Sequence, residues 1–168
     1  MEKAAIFLLS LALVSLPAVA DETGEGLPRA YAGLSGALTL PQGGARVGRV
    51  GGGAVRVGAY LSDDLAAEGE VAWLEDAVCL QAGLLAHLQA WSLYGDLFGY
   101  SRFDPFVTVG ARGWLGNGSG QVGPGAGLGA FWHLTDSWSL RADVSSVLGV
   151  ETACDVLFHV SAGVQFSF

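Results

Sequence analysis

Three histidines and a handful of charged side chains carry whatever chemistry this chain could do. His159 stands two residues before Ser161, and Asp143 lies in the preceding alternating segment, so a Ser–His–Asp relay for acyl transfer can be written down. Such a relay needs strict geometry and an oxyanion hole. A lipid-modifying barrel also needs a way in for an acyl chain, and nothing in the sequence marks either. The alternative is that His87, His133 and His159 are inert residues of a polar interior. Two cysteines, Cys79 and Cys154, are too few and too far apart for a metal centre. No cofactor motif is present, so the reading is of no metal, no cofactor and no enzyme.

Six charges share the phase of the histidines: Arg56, Glu68, Glu70, Arg112, Arg141 and Asp143. They are three of each sign, and a charge confined away from water must be paired or hydrated. A turn centred on Asp63 sets Arg56 opposite Glu70 with Glu68 diagonal. A loop centred on Glu151 sets Asp143 opposite His159. Cross-strand neighbours on one face lie ~5 Å apart, close enough to interact. This lumen network, His159 included, reads either as a salt-bridged plug or as the charged constriction of a small pore.

The elements that would hold these residues are strands. Asp155–Phe168 alternates from end to end: Val156, Phe158, Val160, Ala162, Val164, Phe166 and Phe168 on one face, polar or small residues on the other. Seven earlier segments alternate likewise, at 29–40, 47–61, 65–73, 77–89, 104–115, 121–134 and 138–148. Gly51–Gly53 is expected to bend or bulge the second. Ser62–Asp64 and Thr135–Ser137 read as tight turns, and Ala90–Phe103 as a longer one with aromatic anchors. On the opposite end the connections Pro41–Arg46, Glu75–Asp76, Gly116–Gly120 and Gly149–Ala153 are short.

Eight alternating strands and no apolar run of ~20 residues describe a barrel rather than a helical membrane protein. The expected fold is all-β, an eight-stranded antiparallel up-and-down transmembrane β-barrel over 29–168. Residues 1–20 read as a signal peptide: Ala4–Leu16 is apolar, and Ala18-Val19-Ala20 is a cleavage pattern. Residues 21–28 read as a flexible N-terminal lead. A soluble exported barrel also alternates, but with apolar side chains inside. Here the non-apolar phase is glycine, serine and alanine with few charges, unlike a solvated surface. Trp73, Trp132, Trp138, Phe166 and Phe168 fall on the apolar phase and are expected to form an aromatic girdle.

The chain has a formal net charge of −8. Lys3 is its only lysine and its seven arginines are unclustered, which speaks against nucleic-acid binding. Export permits a disulfide between Cys79 and Cys154. Their strands, the fourth and eighth, are roughly diametric in a ring of eight, which weighs against it.

The segment Phe103–Gly110, the arginine-bearing strand Val55–Tyr60 and the terminal Gly163–Phe168 resemble the small bacterial outer-membrane barrels of the outer membrane protein A and X type. The resemblance implies the cell outer membrane, lipid as the surroundings, and the barrel-assembly machinery as a partner through the C-terminal strand. It implies a structural or envelope role, with a narrow porin-like channel as the alternative and a lipid-modifying enzyme behind that. No peptidoglycan-binding domain follows the barrel, a departure from the full-length outer membrane protein A arrangement.

Overall fold

A computed structural model describes residues 30–42, 50–75, 77–88, 102–116, 119–148 and 156–168. The expected signal peptide (1–20) and lead (21–28), Cys154, most of the expected short connections and nearly all of the expected turn over 90–103 lie outside the described residues. Eight strands follow in order: β1 (Ala30–Gln42), β2 (Val50–Ser62), β3 (Leu65–Leu74), β4 (Ala77–His87), β5 (Phe103–Gly116), β6 (Ser119–His133), β7 (Trp138–Leu148) and β8 (Val156–Ser167). Each pairs antiparallel with its sequence neighbours, and β8 closes on β1. Closure removes the sheet edges that an open array of such apolar strands would expose.

The stagger of the closure can be followed residue by residue. Tyr31 pairs with Gly58, then Glu68, Gly83, Gly110, Gly125, Val147 and Leu157, and Leu157 returns to β1 at Pro41. The path starts at 31 and ends at 41, a shear of 41 − 31 = 10 residues. Eight strands with such a stagger tilt strongly, within the ~35–45° usual for barrels, and leave an interior that side chains can fill.

Alternation assigns the two faces as the sequence implied. Leu34, Val109, Val122, Leu128, Leu140 and Val164 are exposed on the outer wall. The polar phase is buried inside, including Arg56, Glu68, Glu70, Arg112, Arg141 and Asp143. The outer wall is therefore greasy and the interior ionic, the reverse of a soluble barrel.

Two local expectations change. Gly51–Gly53 does not bulge: it pairs in unbroken register with β1, while the single shift between β2 and β3 falls at Tyr60/Ser62, beside the turn. Gly52 serves close approach instead, since a Cβ there would sit 1.9 Å from the Trp73 carbonyl oxygen. The aromatic girdle also divides. Trp132, Trp138, Phe166 and Phe168 gather at the end that bears the tight turns, with Trp138 and Phe166 5.0 Å apart and Phe166 and Phe168 6.2 Å apart. Trp73 pairs with Gly53 and Val78 at the opposite end. One strand length separates the rims, so outward phase alone could not assign a residue to either.

Candidate functional site

The lumen is built in layers. The turn-bearing end is aromatic: Tyr31, Leu85, Phe106 and Phe131 are buried there, with Tyr60 packed against them. The opposite end holds a smaller cluster of Ala37, Ala54, Ala72, Leu74 and Cys79, against which Trp114 packs. Between them lies the charged layer.

The tight Asp63–Asp64 turn puts Arg56 directly across from Glu70, as its spacing requires. The Arg56 guanidinium donates to Glu70 and to Ser161 Oγ at 3.1 Å, and lies 3.3 Å from Glu68 and 3.2 Å from Asp143. Arg141 crosses from β7 to β3 and grips Glu68 with both terminal nitrogens, one bond at 3.0 Å. Its Nε donates to Asp143 at 3.0 Å. Its guanidinium carbon sits 4.5 Å from the centre of the Phe106 ring and 5.1 Å from that of Phe131. Tyr31 adds a phenol donor to Glu68 at 2.6 Å. That reach depends on Gly58, which stands between them in the register; a Cβ there would lie 2.1 Å from the Tyr31 ring.

Asp143 faces Ser161, and His159 faces Ser145, in place of the expected Asp143–His159 pair. The shift is two residues, so every side chain keeps its face and only its partner changes. The consequence for the relay is direct. Ser161 donates its hydroxyl straight to Asp143 at 3.0 Å, while His159 lies 3.4 Å from Thr39 Oγ1 and 3.3 Å from Glu70. The imidazole is directed at other partners than the serine–aspartate pair that a nucleophile–base relay would have it bridge.

Arg112 is the loosest member. Among the described residues its nearest carboxylate, Glu70 Oε1, is 3.9 Å away, and its Nη1 is buried without a hydrogen-bond partner. Cys79 is buried as a free thiol; its suggested partner Cys154 is outside the described residues.

A second polar group was missed in the sequence. Asp104 accepts from His87 at 2.5 Å and lies 3.6 Å from His133, which in turn contacts Ser139 at 2.8 Å. His87 stacks between Tyr60 and Phe131, both at 5.7 Å. The signal was available: Asp104 has the parity of Thr108 and Arg112, but it begins its strand and was not carried into the interior set. No group of three or more metal-ligating residues suited to an ion occurs among the described residues.

No protein-family model matches the chain, and no curated protein matches it by sequence. Solved structures do match. The N-terminal β-barrel domain of OprF from Pseudomonas aeruginosa superposes with a TM-score of 0.56 at 16% identity, over 82% of this chain and 97% of that one. The chain has the fold of the small eight-stranded outer-membrane barrels. The outer membrane protein OprG from the same organism gives a TM-score of 0.58 at 10% identity, over 88% of this chain and 99% of that one. A de novo designed transmembrane β-barrel gives 0.57 at 14% identity, over 86% and 99%. A designed chain reaches the same likeness as natural ones, so the shared architecture carries no particular activity.

Proposed function

We propose that this chain is an outer-membrane β-barrel with a structural, envelope-associated role and a lumen plugged by its own side chains. The supporting observation is the lattice of Arg56, Arg141, Glu68, Glu70 and Asp143, whose contacts run between β2, β3 and β7 across the interior. Each of these five side chains is at most 7% exposed. The aromatic layer beneath it stacks a second barrier.

The apolar outer wall is the surface that outer-membrane lipid covers in this reading. Strand β8, with Phe166 and Phe168 outward, is the segment offered to the barrel-assembly machinery. A non-catalytic role is supported by the Ser161 hydroxyl, which donates to Asp143, and by His159, which lies 3.4 Å from Thr39 and 3.3 Å from Glu70 instead of between Ser161 and Asp143.

Planar-bilayer recording of the refolded barrel tests the plug, and low or absent conductance is expected. Steady channels of uniform size would replace it with the narrow pore, Arg56 and Glu70 forming its constriction. Membrane fractionation with heat-modifiable gel mobility tests the location; a chain that stays in buffer without detergent would end the reading.

A further inference from the structure

The contacts of the ion lattice run between β2, β3 and β7, which leaves the inner wall of β4–β6 to other residues. Glycine takes much of the middle of that wall. Gly83, Gly110 and Gly125 stand in one cross-strand row, and Gly127 lies next to it, between Thr108 and Ser145. The row packs backbone against backbone: a Cβ on Gly110 would lie 2.2 Å from the Ala82 carbonyl oxygen. No side chain rises from it into the lumen. The result is a cavity of about 190 Å³, its open mouth included, lined by Gln81, Thr108, Gly110, Arg112, Gly125 and Ser145. Its enclosed part holds about one water-sized particle.

The polar side chains around this space are donors or can be turned to donate. Arg112 is 4% exposed, and among the described residues its Nη1 has no hydrogen-bond partner. Ser145 is 6% exposed, and its hydroxyl is likewise without a partner there. Thr108 adds a second buried hydroxyl. Gln81 stands directly across from Arg112 with its buried amide oxygen unpartnered, and half a turn of the amide offers its NH₂ group instead. Among the described residues no carboxylate lines the cavity. Glu70 comes nearest to Arg112, but its Oε1 is 3.9 Å away, beyond hydrogen-bond reach, and is shared with His159 at 3.3 Å, while its Oε2 accepts from Arg56. A buried guanidinium with an open donor, set among hydroxyls, suits an anion. Water would fit the same space, but it would leave the charge of Arg112 to a carboxylate that does not reach it.

We infer that this cavity binds a single monatomic anion of chloride size, held by Arg112, Ser145 and Thr108 with the Gln81 amide turned toward it. The small enclosed space excludes polyatomic anions with organic substituents. The ion competes with Glu70 for Arg112, so weak binding in the millimolar range is expected. It sits against the β4–β6 wall beside the lattice and is held there rather than passed through, so the plug is unaffected.

The test is chloride NMR of the full chain in nanodiscs of zwitterionic lipid, with empty nanodiscs subtracted and fold checked by heat-modifiable mobility. A saturable excess linewidth is expected, displaced by bromide and not by gluconate at equal ionic strength. Arg112→Gln should weaken binding on the order of tenfold or more, the worth of a charge-assisted hydrogen bond. Ser145→Ala removes one neutral donor and should weaken it about fivefold. Unchanged binding in a folded Arg112→Gln barrel overturns the site; if that variant does not fold, unchanged binding in Ser145→Ala overturns it. Absence of saturable broadening overturns it as well and leaves the cavity to water. Equal displacement by gluconate overturns it by placing the ion on the surface.

Discussion

Arg141 and Arg112 are both buried arginines on the inner wall, yet they should respond very differently to removal. Arg141 donates two bonds to Glu68 and one to Asp143, and it lies over Phe106 and Phe131. Arg141→Met would leave Glu68 with the Tyr31 phenol and a 3.3 Å approach from Arg56, and Asp143 with Ser161 and a 3.2 Å approach from Arg56. Two buried carboxylates would then share one guanidinium, already bonded to Glu70. Breaking a buried pair in this way costs about 3–5 kcal/mol. The cation–ring contact adds about 1 kcal/mol, and the remaining Arg56 and Tyr31 bonds soften the loss, so about 3 kcal/mol is expected. Among the described residues Arg112→Met breaks one ion-pair contact of 3.9 Å and removes a donor, Nη1, that has no acceptor, so less than about 1 kcal/mol is expected. The assay is reversible urea unfolding in lipid vesicles, followed by tryptophan fluorescence and by the heat-modifiable fraction. The double variant Arg141→Met with Glu68→Gln should recover part of the loss, with a coupling of about 1–3 kcal/mol. Equal costs for the two arginines, or strict additivity of Arg141→Met and Glu68→Gln, would refute the lattice as the stabilising feature of the lumen.

Three further outcomes follow from the same geometry. Gly129→Val places a Cβ 2.5 Å from the tip of Phe106 and 2.6 Å from the Ala142 carbonyl oxygen, and should cost about 1–3 kcal/mol in the same urea titration. Leu128 is 65% exposed on the outer wall, so Leu128→Arg should destabilise the barrel in vesicles by about 2–4 kcal/mol if lipid covers that face; a neutral effect would point to water there instead. Phe168→Ala removes an aromatic stacked on Phe166 at the rim, and should lower the fraction of heat-modifiable barrel recovered from membranes while leaving unfolding of the assembled fraction within about 1 kcal/mol of the parent.

The strands and their faces were legible in the sequence because a strand has a period of two, and closure does not alter parity. Arg56, Glu68, Glu70, Arg112, Arg141, Asp143 and His159 lie buried on the inner wall, and β7, Trp138–Leu148, keeps the bounds read from the sequence. The Arg56–Glu70 pair was legible too, because a tight turn between two strands leaves little freedom in their register. Registers across longer connections were not. The midpoint of 149–153 put Asp143 opposite His159, whereas the ladder puts it opposite Ser161, and with that the apparent relay gives way to a direct Ser161–Asp143 hydrogen bond. The reach of Arg141 to Glu68, 73 residues away, has no local signature at all. It exists because eight strands close with a shear of ten, bringing β3 and β7 to face each other across a tube narrow enough for one guanidinium to span. Which side of each strand meets hydrocarbon was thus decided by residue order, through the pleat. Which charge meets which was decided by closure, because stagger is a property of the whole ring and of no single strand.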